Sequence, residues 1–184
     1  MIVMMGGPGT GKGTFARMLR DIHPEYTHIE TGAILRSQPD GSPIRIAIAE
    51  GNLIPDEKVC DLVAKTIAQT SGDIILDGFP RTLVQAQWLV EKYANKYDVQ
   101  VIYLNVPDEI MIKRINKRKS AGSTRKDDGS IDIVQHRIDA FHKITMPAIQ
   151  WLSGVGCITF SDIDSSEEES ANFARIRMAL KDKR

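Results

Sequence analysis

Residues 6–14 read Gly6-Gly7-Pro8-Gly9-Thr10-Gly11-Lys12-Gly13-Thr14. Five glycines in the eight residues Gly6–Gly13 exclude a helix or strand interior, because each would cost roughly 0.5–1 kcal/mol there relative to alanine. The stretch is therefore expected to be a turn. The apolar run Ile2–Met5 precedes it and a helix-like segment follows. The spacing Gly6…Gly11-Lys12 fits the P-loop. Its backbone N–H groups point inward, the next helix adds partial positive charge, and the lysine reaches the β and γ phosphates of a nucleotide. Gly9, Thr10, Gly11, Lys12, Gly13 and Thr14 are the predicted nucleotide-phosphate residues. The strict pattern wants Ser or Thr after the lysine, but Gly13 stands there and the hydroxyl comes at Thr14. Without that ligand, Mg²⁺ is expected to ride mainly on phosphates and water.

The rest of the chain alternates short apolar runs with longer segments of helical period. Strands are predicted at Ile2–Met5, Tyr26–Ile29, Asp73–Leu76, Val99–Leu104 and Gly156–Phe160. Val59, Leu62, Val63 and Ile67 make one apolar helix face. Pro107-Asp108-Glu109 opens another helix, and Ser166-Glu167-Glu168-Glu169 reads as a capping box before the last one. This order predicts an α/β fold of P-loop type, a five-stranded parallel sheet flanked by helices. Gly6, Thr31, Asp77-Gly78-Phe79-Pro80-Arg81, Asn105 with Asp108, and Ser161-Asp162 each fall just after a predicted strand. Ligands of open α/β sheets bind at that edge. Two stretches fit poorly, Ala33 to about Glu57 and Ser120–Ser130. Both read as excursions from the sheet, suited either to mobile lids or to plain surface loops.

The chain has 184 residues, 24 basic against 24 acidic, so a single domain without a polyanion-binding surface is expected. The neutral sum hides a local field, because residues 113–126 hold seven basic side chains and no acid. Cys60 and Cys157 belong to no metal-ligand cluster, which argues against structural zinc and for a reduced cytoplasmic setting. No apolar run is long enough to span a membrane. A monomer with neither membrane nor nucleic-acid partner is the simplest reading.

Gly-x-Pro-Gly-x-Gly-Lys-Gly-Thr resembles the nucleoside monophosphate kinases, and further segments sharpen this to the adenylate kinases. Thr31-Gly32 with Leu35-Arg36, and Glu50-Gly51-Asn52-Leu53-Ile54-Pro55-Asp56-Glu57, are similar to family segments. So are Asp77-Gly78-Phe79-Pro80-Arg81-Thr82 with Gln85, and Val106-Pro107-Asp108-Glu109 followed by Arg114 and Arg118. Arg125-Lys126-Asp127-Asp128 and Arg137 complete the pattern. The resemblance covers residues 1 to about 150. It implies the reaction MgATP + AMP ⇌ MgADP + ADP. It further implies an AMP-binding insertion over about 31–57 and a short lid over about 119–130.

It also implies roles. Arg36 and Arg81 grip the AMP phosphate, Lys12 and Arg118 stabilise the ATP phosphates and the group in flight, and Arg125 and Arg137 bridge it. Arg114 stacks on the ATP adenine. Asp77 orders magnesium-bound water, or else bonds the N–H groups of its own turn. Thr31, Asn52, Leu53, Ile54, Gly78 and Gln85 complete the AMP site. Gln85 can both donate to and accept from the adenine edge. Thr31 and Thr82 favour AMP over pyrimidine acceptors. Asp127 and Asp128 suit either arginine partners or loop charges.

The chain departs from the family pattern at two places. The usual Asp after Thr-Gly is Ala33, which bears on magnesium positioning. Arg125 and Arg137 lie 12 apart where 11 is usual, an extra residue the Gly129-Ser130 turn can absorb. Two other readings stand beside this one: a kinase of broader acceptor range, and a nucleotide-binding protein whose activity has decayed.

Overall fold

Five parallel strands form one sheet in the computed structural model, which describes residues 1–49, 54–120 and 131–181. They are β1 (Ile2–Gly6), β2 (Tyr26–Glu30), β3 (Asp73–Asp77), β4 (Gln100–Asn105) and β5 (Thr159–Asp164). Their spatial order is β2-β3-β1-β4-β5. The chain leaves β1 toward one side of the sheet for β2 and β3, then returns to build β4 and β5 on the other. The loop after β1 therefore lies at the switch point, where the flanking connections diverge and leave a crevice.

Alternation along the strands explains why both sheet faces are covered. Val3, Met5, Ile74, Leu76, Val101 and Tyr103 face one layer; Ile2, Met4, Ile75, Ile102 and Leu104 face the other. The first layer is made by α4 (Asp56–Ala68), α5 (Leu83–Tyr93) and α8 (Met146–Ser153), the second by α1 (Lys12–Ile22) and α9 (Glu169–Ala179). Between β2 and α4 stand α2 (Thr31–Arg36) and α3 (Pro43–Ala49). After β4 come α6 (Asp108–Ser120) and α7 (Ile131–Ala140), which bury Met111, Ile115, Val134 and Ile138 in a small core of their own. A π turn, Phe141–Thr145, joins α7 to α8. It ends against Pro147, whose ring cannot donate to the preceding turn.

Three sequence expectations are corrected here. The fifth strand runs over Thr159–Asp164 instead of Gly156–Phe160, so Ser161 and Asp162 lie within it and not beyond it. It is an edge strand paired only with β4, which blurs its apolar signal. The capping box before α9 does not form. The helix starts at Glu169 with no side-chain cap, and the amide of buried Asn172 donates to the carbonyls of Ser165 and Glu167 instead. On α4, Leu62, expected on the apolar face, is only half-buried, while Cys60 beside that face is buried, as its small apolar side chain predicts.

Candidate active site

The carboxyl ends of β1, β2 and β3 meet where the glycine loop turns. Gly6, Gly9 and Gly11 have φ of 145°, 79° and 97°, a region that side chains strain. They also lack room: a Cβ at Gly9 would stand 2.7 Å from the Met111 carbonyl, and one at Gly11 2.8 Å from the Phe15 ring. Thr10 is buried, and its hydroxyl donates to the Gly7 carbonyl at 3.0 Å. Lys12 opens α1 and folds its ammonium back onto the loop, donating to the Gly6 and Gly7 carbonyls at 2.8 and 2.7 Å. Burial pushes its pKa down to about 8. Asp77 opposes that shift, while Arg81, Arg137 and Arg118 add to it. Three other predicted phosphate-binding cations are therefore close enough for Lys12 to feel their charge.

Asp77 ends β3 and is 6% exposed. A Cβ at Gly13 would stand 3.3 Å from its Oδ2, so glycine after the lysine leaves space for this carboxylate. The loop gives up the usual hydroxyl where Asp77 comes in. His28 Nε2 lies 3.5 Å from the same Oδ2 and makes no hydrogen bond. A single carboxylate beside the phosphate loop, which also carries the Thr14 hydroxyl two residues after Lys12, suits a magnesium ion that keeps most of its waters and rides on a nucleotide. Among the described residues no cluster of three or more His, Cys, Asp or Glu could hold a metal by itself.

The acceptor-side residues gather around β2, β3 and the first turn of α5. Thr31 is buried at the start of α2, and its hydroxyl has no hydrogen-bond partner. Arg36, at the end of α2, donates from Nη2 to Glu30 Oε1 at 2.7 Å. Gly78 has φ of 79° and turns the chain after β3 so that Arg81 Nε donates to the Gly78 carbonyl at 2.9 Å. Gln85 is buried: its Oε1 accepts from Arg81 N at 2.8 Å and its Nε2 donates to Asp56 Oδ1 at 2.7 Å. An amide has two donor positions and two acceptor positions, so each end keeps one for a ligand. Ile54 packs against the core beneath. Asn52, Leu53, Arg125, Asp127 and Asp128 lie outside the described residues. Arg118 is in the last turn of α6 and Arg137 in that of α7. Arg114 donates to the Glu167 carbonyl at 2.9 Å, tying α6 to the segment after β5.

A family model described as adenylate kinase matches residues 4–156. The chain belongs to the adenylate kinase family. It is thus a nucleotide-binding phosphotransferase. An adenylate kinase of Prochlorococcus marinus is 32% identical over 97% of this chain and 98% of its own length. One of Bacteroides thetaiotaomicron is 36% identical over 82% of each chain. One of Parvibaculum lavamentivorans is 34% identical over 91% of this chain and 86% of its own. The adenylate kinase match spans every family-like segment from Gly6 to Arg137.

Three residues of this adenylate kinase crevice lie against partners that local sequence spacing does not encode. Asp56 Oδ1 accepts from both Thr82 Oγ1 and Gln85 Nε2, at 3.0 and 2.7 Å, and so fixes the turn that carries Arg81. In sequence it appears as part of the segment Glu50–Glu57 and as an acid in the first turn of a helix, and neither points to Gln85. His28 and Glu30 are the other two. Their partners are Asp77 on the neighbouring strand and Arg36 on the next helix, and no local spacing encodes either contact.

Proposed function

We propose that this chain transfers the terminal phosphoryl group of MgATP to AMP, reversibly, giving two ADP. The carrying observation is that buried Lys12 in the glycine loop feels the charges of Arg81, Arg118 and Arg137 together with that of the buried Asp77. Two nucleotides with adjoining phosphates repel each other, and transfer spreads charge over the equatorial oxygens. Catalysis is then mostly positioning and electrostatic stabilisation. Lys12 leaves the loop carbonyls for the donor phosphates. Arg36 and Arg81 hold the acceptor phosphate, and Arg118, Arg125 and Arg137 neutralise the group in flight. Transfer is direct and in line. Arginine serves here because its planar fork binds phosphate through paired hydrogen bonds and stays charged. Magnesium, when bound with ATP, adds charge neutralisation at the phosphates. Asp77 would hold its water shell.

The insertion around 31–57 carries the AMP site, with Gln85 and the backbone near Ile54 reading the adenine. The short lid around 119–130 closes over ATP and excludes water, since hydrolysis is the competing reaction. A monomer in the reduced cytoplasm is the setting that the neutral charge and unpaired cysteines support. No helix among the described residues is long and apolar enough to cross a membrane.

Supplying MgATP with AMP, CMP, UMP or GMP and separating the products by anion exchange tests the acceptor. Formation of ADP from AMP, with the other three near background, is expected. Comparable CDP or UDP formation would replace the AMP reading with a broader one.

A further inference from the structure

Arg36 is not an open anion site. Its Nη2 donates to Glu30 Oε1 at 2.7 Å, the two side chains being 39% and 29% exposed. Its Nη1 folds back over the first turn of α2, 2.9 Å from where a Cβ of Gly32 would stand. Glu30 is the last residue of β2 and pairs in register with Asp77, so its carboxylate belongs to the sheet edge that faces the phosphates. One residue on, the Thr31 hydroxyl is buried without a partner. The corner thus offers a buried polar group waiting for a ligand, beside a guanidinium already engaged by an internal acid.

We propose that Glu30 is a built-in competitor for the acceptor phosphate, setting how tightly, and for which anions, Arg36 binds. The proposal rests on the reading of Arg36 as an AMP-phosphate residue. A phosphate arriving at the Thr31–Arg36 corner either displaces the carboxylate or shares the guanidinium with it. Displacement costs the ion pair, and sharing places two anions side by side. Both routes weaken binding while Glu30 is charged. A phosphate monoester, with up to two charges and three acceptor oxygens, can still win. A singly charged anion gains little by the exchange. Glu30 therefore makes the acceptor site selective for terminal phosphate at the expense of affinity.

Equilibrium titration of AMP without ATP, read by calorimetry, tests this on the full chain. Glu30→Gln keeps the side chain's shape and is expected to lower the AMP dissociation constant about five- to tenfold, the scale of one partly exposed charged pair near a ligand. ATP affinity, measured alongside, should move less than twofold by the same reasoning, since the contact is on Arg36. Glu30→Asp, which keeps the charge on a shorter arm, should fall between, and it serves if the glutamine variant folds poorly. In an Arg36→Met background the Glu30→Gln effect should shrink to the small part that direct repulsion between carboxylate and phosphate supplies. Unchanged or weakened AMP binding, or equal tightening with and without Arg36, overturns the proposal. If AMP binds none of these proteins, the acceptor-site reading falls as well. AMP binding that is indifferent to Glu30 sinks this inference alone.

Discussion

Lys12 carries two constraints at once, because the loop that holds its ammonium also removes it from water. Burial lowers its pKa from 10.5 to about 8. The unfolded chain therefore binds more protons between those values, and the residue's contribution to stability rises with pH across that window and is least favourable below about 8. Nucleotide binding has the opposite sign. Polyphosphate favours the cation, so above pH 8 binding must take up a proton. kcat/KM for ATP should be flat below that point and fall about tenfold per unit above it, while kcat at saturation turns down at higher pH. A kcat/KM profile flat to pH 9.5 would contradict this role for the free enzyme's Lys12. A second residue-scale expectation concerns Ala33, an exposed position on α2. Restoring the carboxylate with Ala33→Asp should lower the magnesium concentration giving half the maximal rate. An unchanged magnesium curve and rate would leave the substitution without consequence.

At the scale of elements, the turn between β3 and α5 is held from outside its own sequence. Asp56, in the first turn of α4, accepts from Thr82, the N-cap of α5, and from Gln85 on that helix, and Gln85 in turn accepts from Arg81 N. Asp56→Ala leaves the buried Gln85 amide short of an acceptor and should cost about 1–3 kcal/mol in denaturant unfolding. It should also raise KM for AMP, because Arg81 loses its fixed turn. Asp56→Asn, which keeps an acceptor oxygen, should restore most of both. Equal stability of all three proteins would show that the tie is idle. This contact also marks where sequence stops being readable. The glycine loop, the strand β3 and the arginine positions declare themselves locally, by conformational need and by spacing. The ties of Asp56 to Gln85 and of Glu30 to Arg36 depend on which elements pack together. The same holds at the edge of the sheet. β5 has one neighbour and lost its apolar alternation, so its boundaries were read three to four residues early. The last helix is anchored by Asn172, a residue inside it, and no cap pattern announces that.

Across the whole molecule, strand order makes the site. With β1 central and the chain departing to either side, the phosphate loop, Asp77 and the end of β2 are forced to one edge. Arg118 and Arg137, in the last turns of α6 and α7, are near enough for Lys12 to feel their charge. The neutral total charge hides this, since acidic stretches elsewhere balance the basic run at 113–126. A site that must accept two phosphate-bearing nucleotides needs that local field, whatever the sum. The most direct measurement supplies the purified protein with MgADP alone and follows nucleotides by anion-exchange chromatography. ATP and AMP should appear together in equal amounts, approach an equilibrium mixture with ADP, and release no inorganic phosphate. AMP or phosphate without matching ATP would mark hydrolysis, and an unchanged ADP peak would mark binding without transfer. Either result would contradict a reversible transfer between two bound nucleotides.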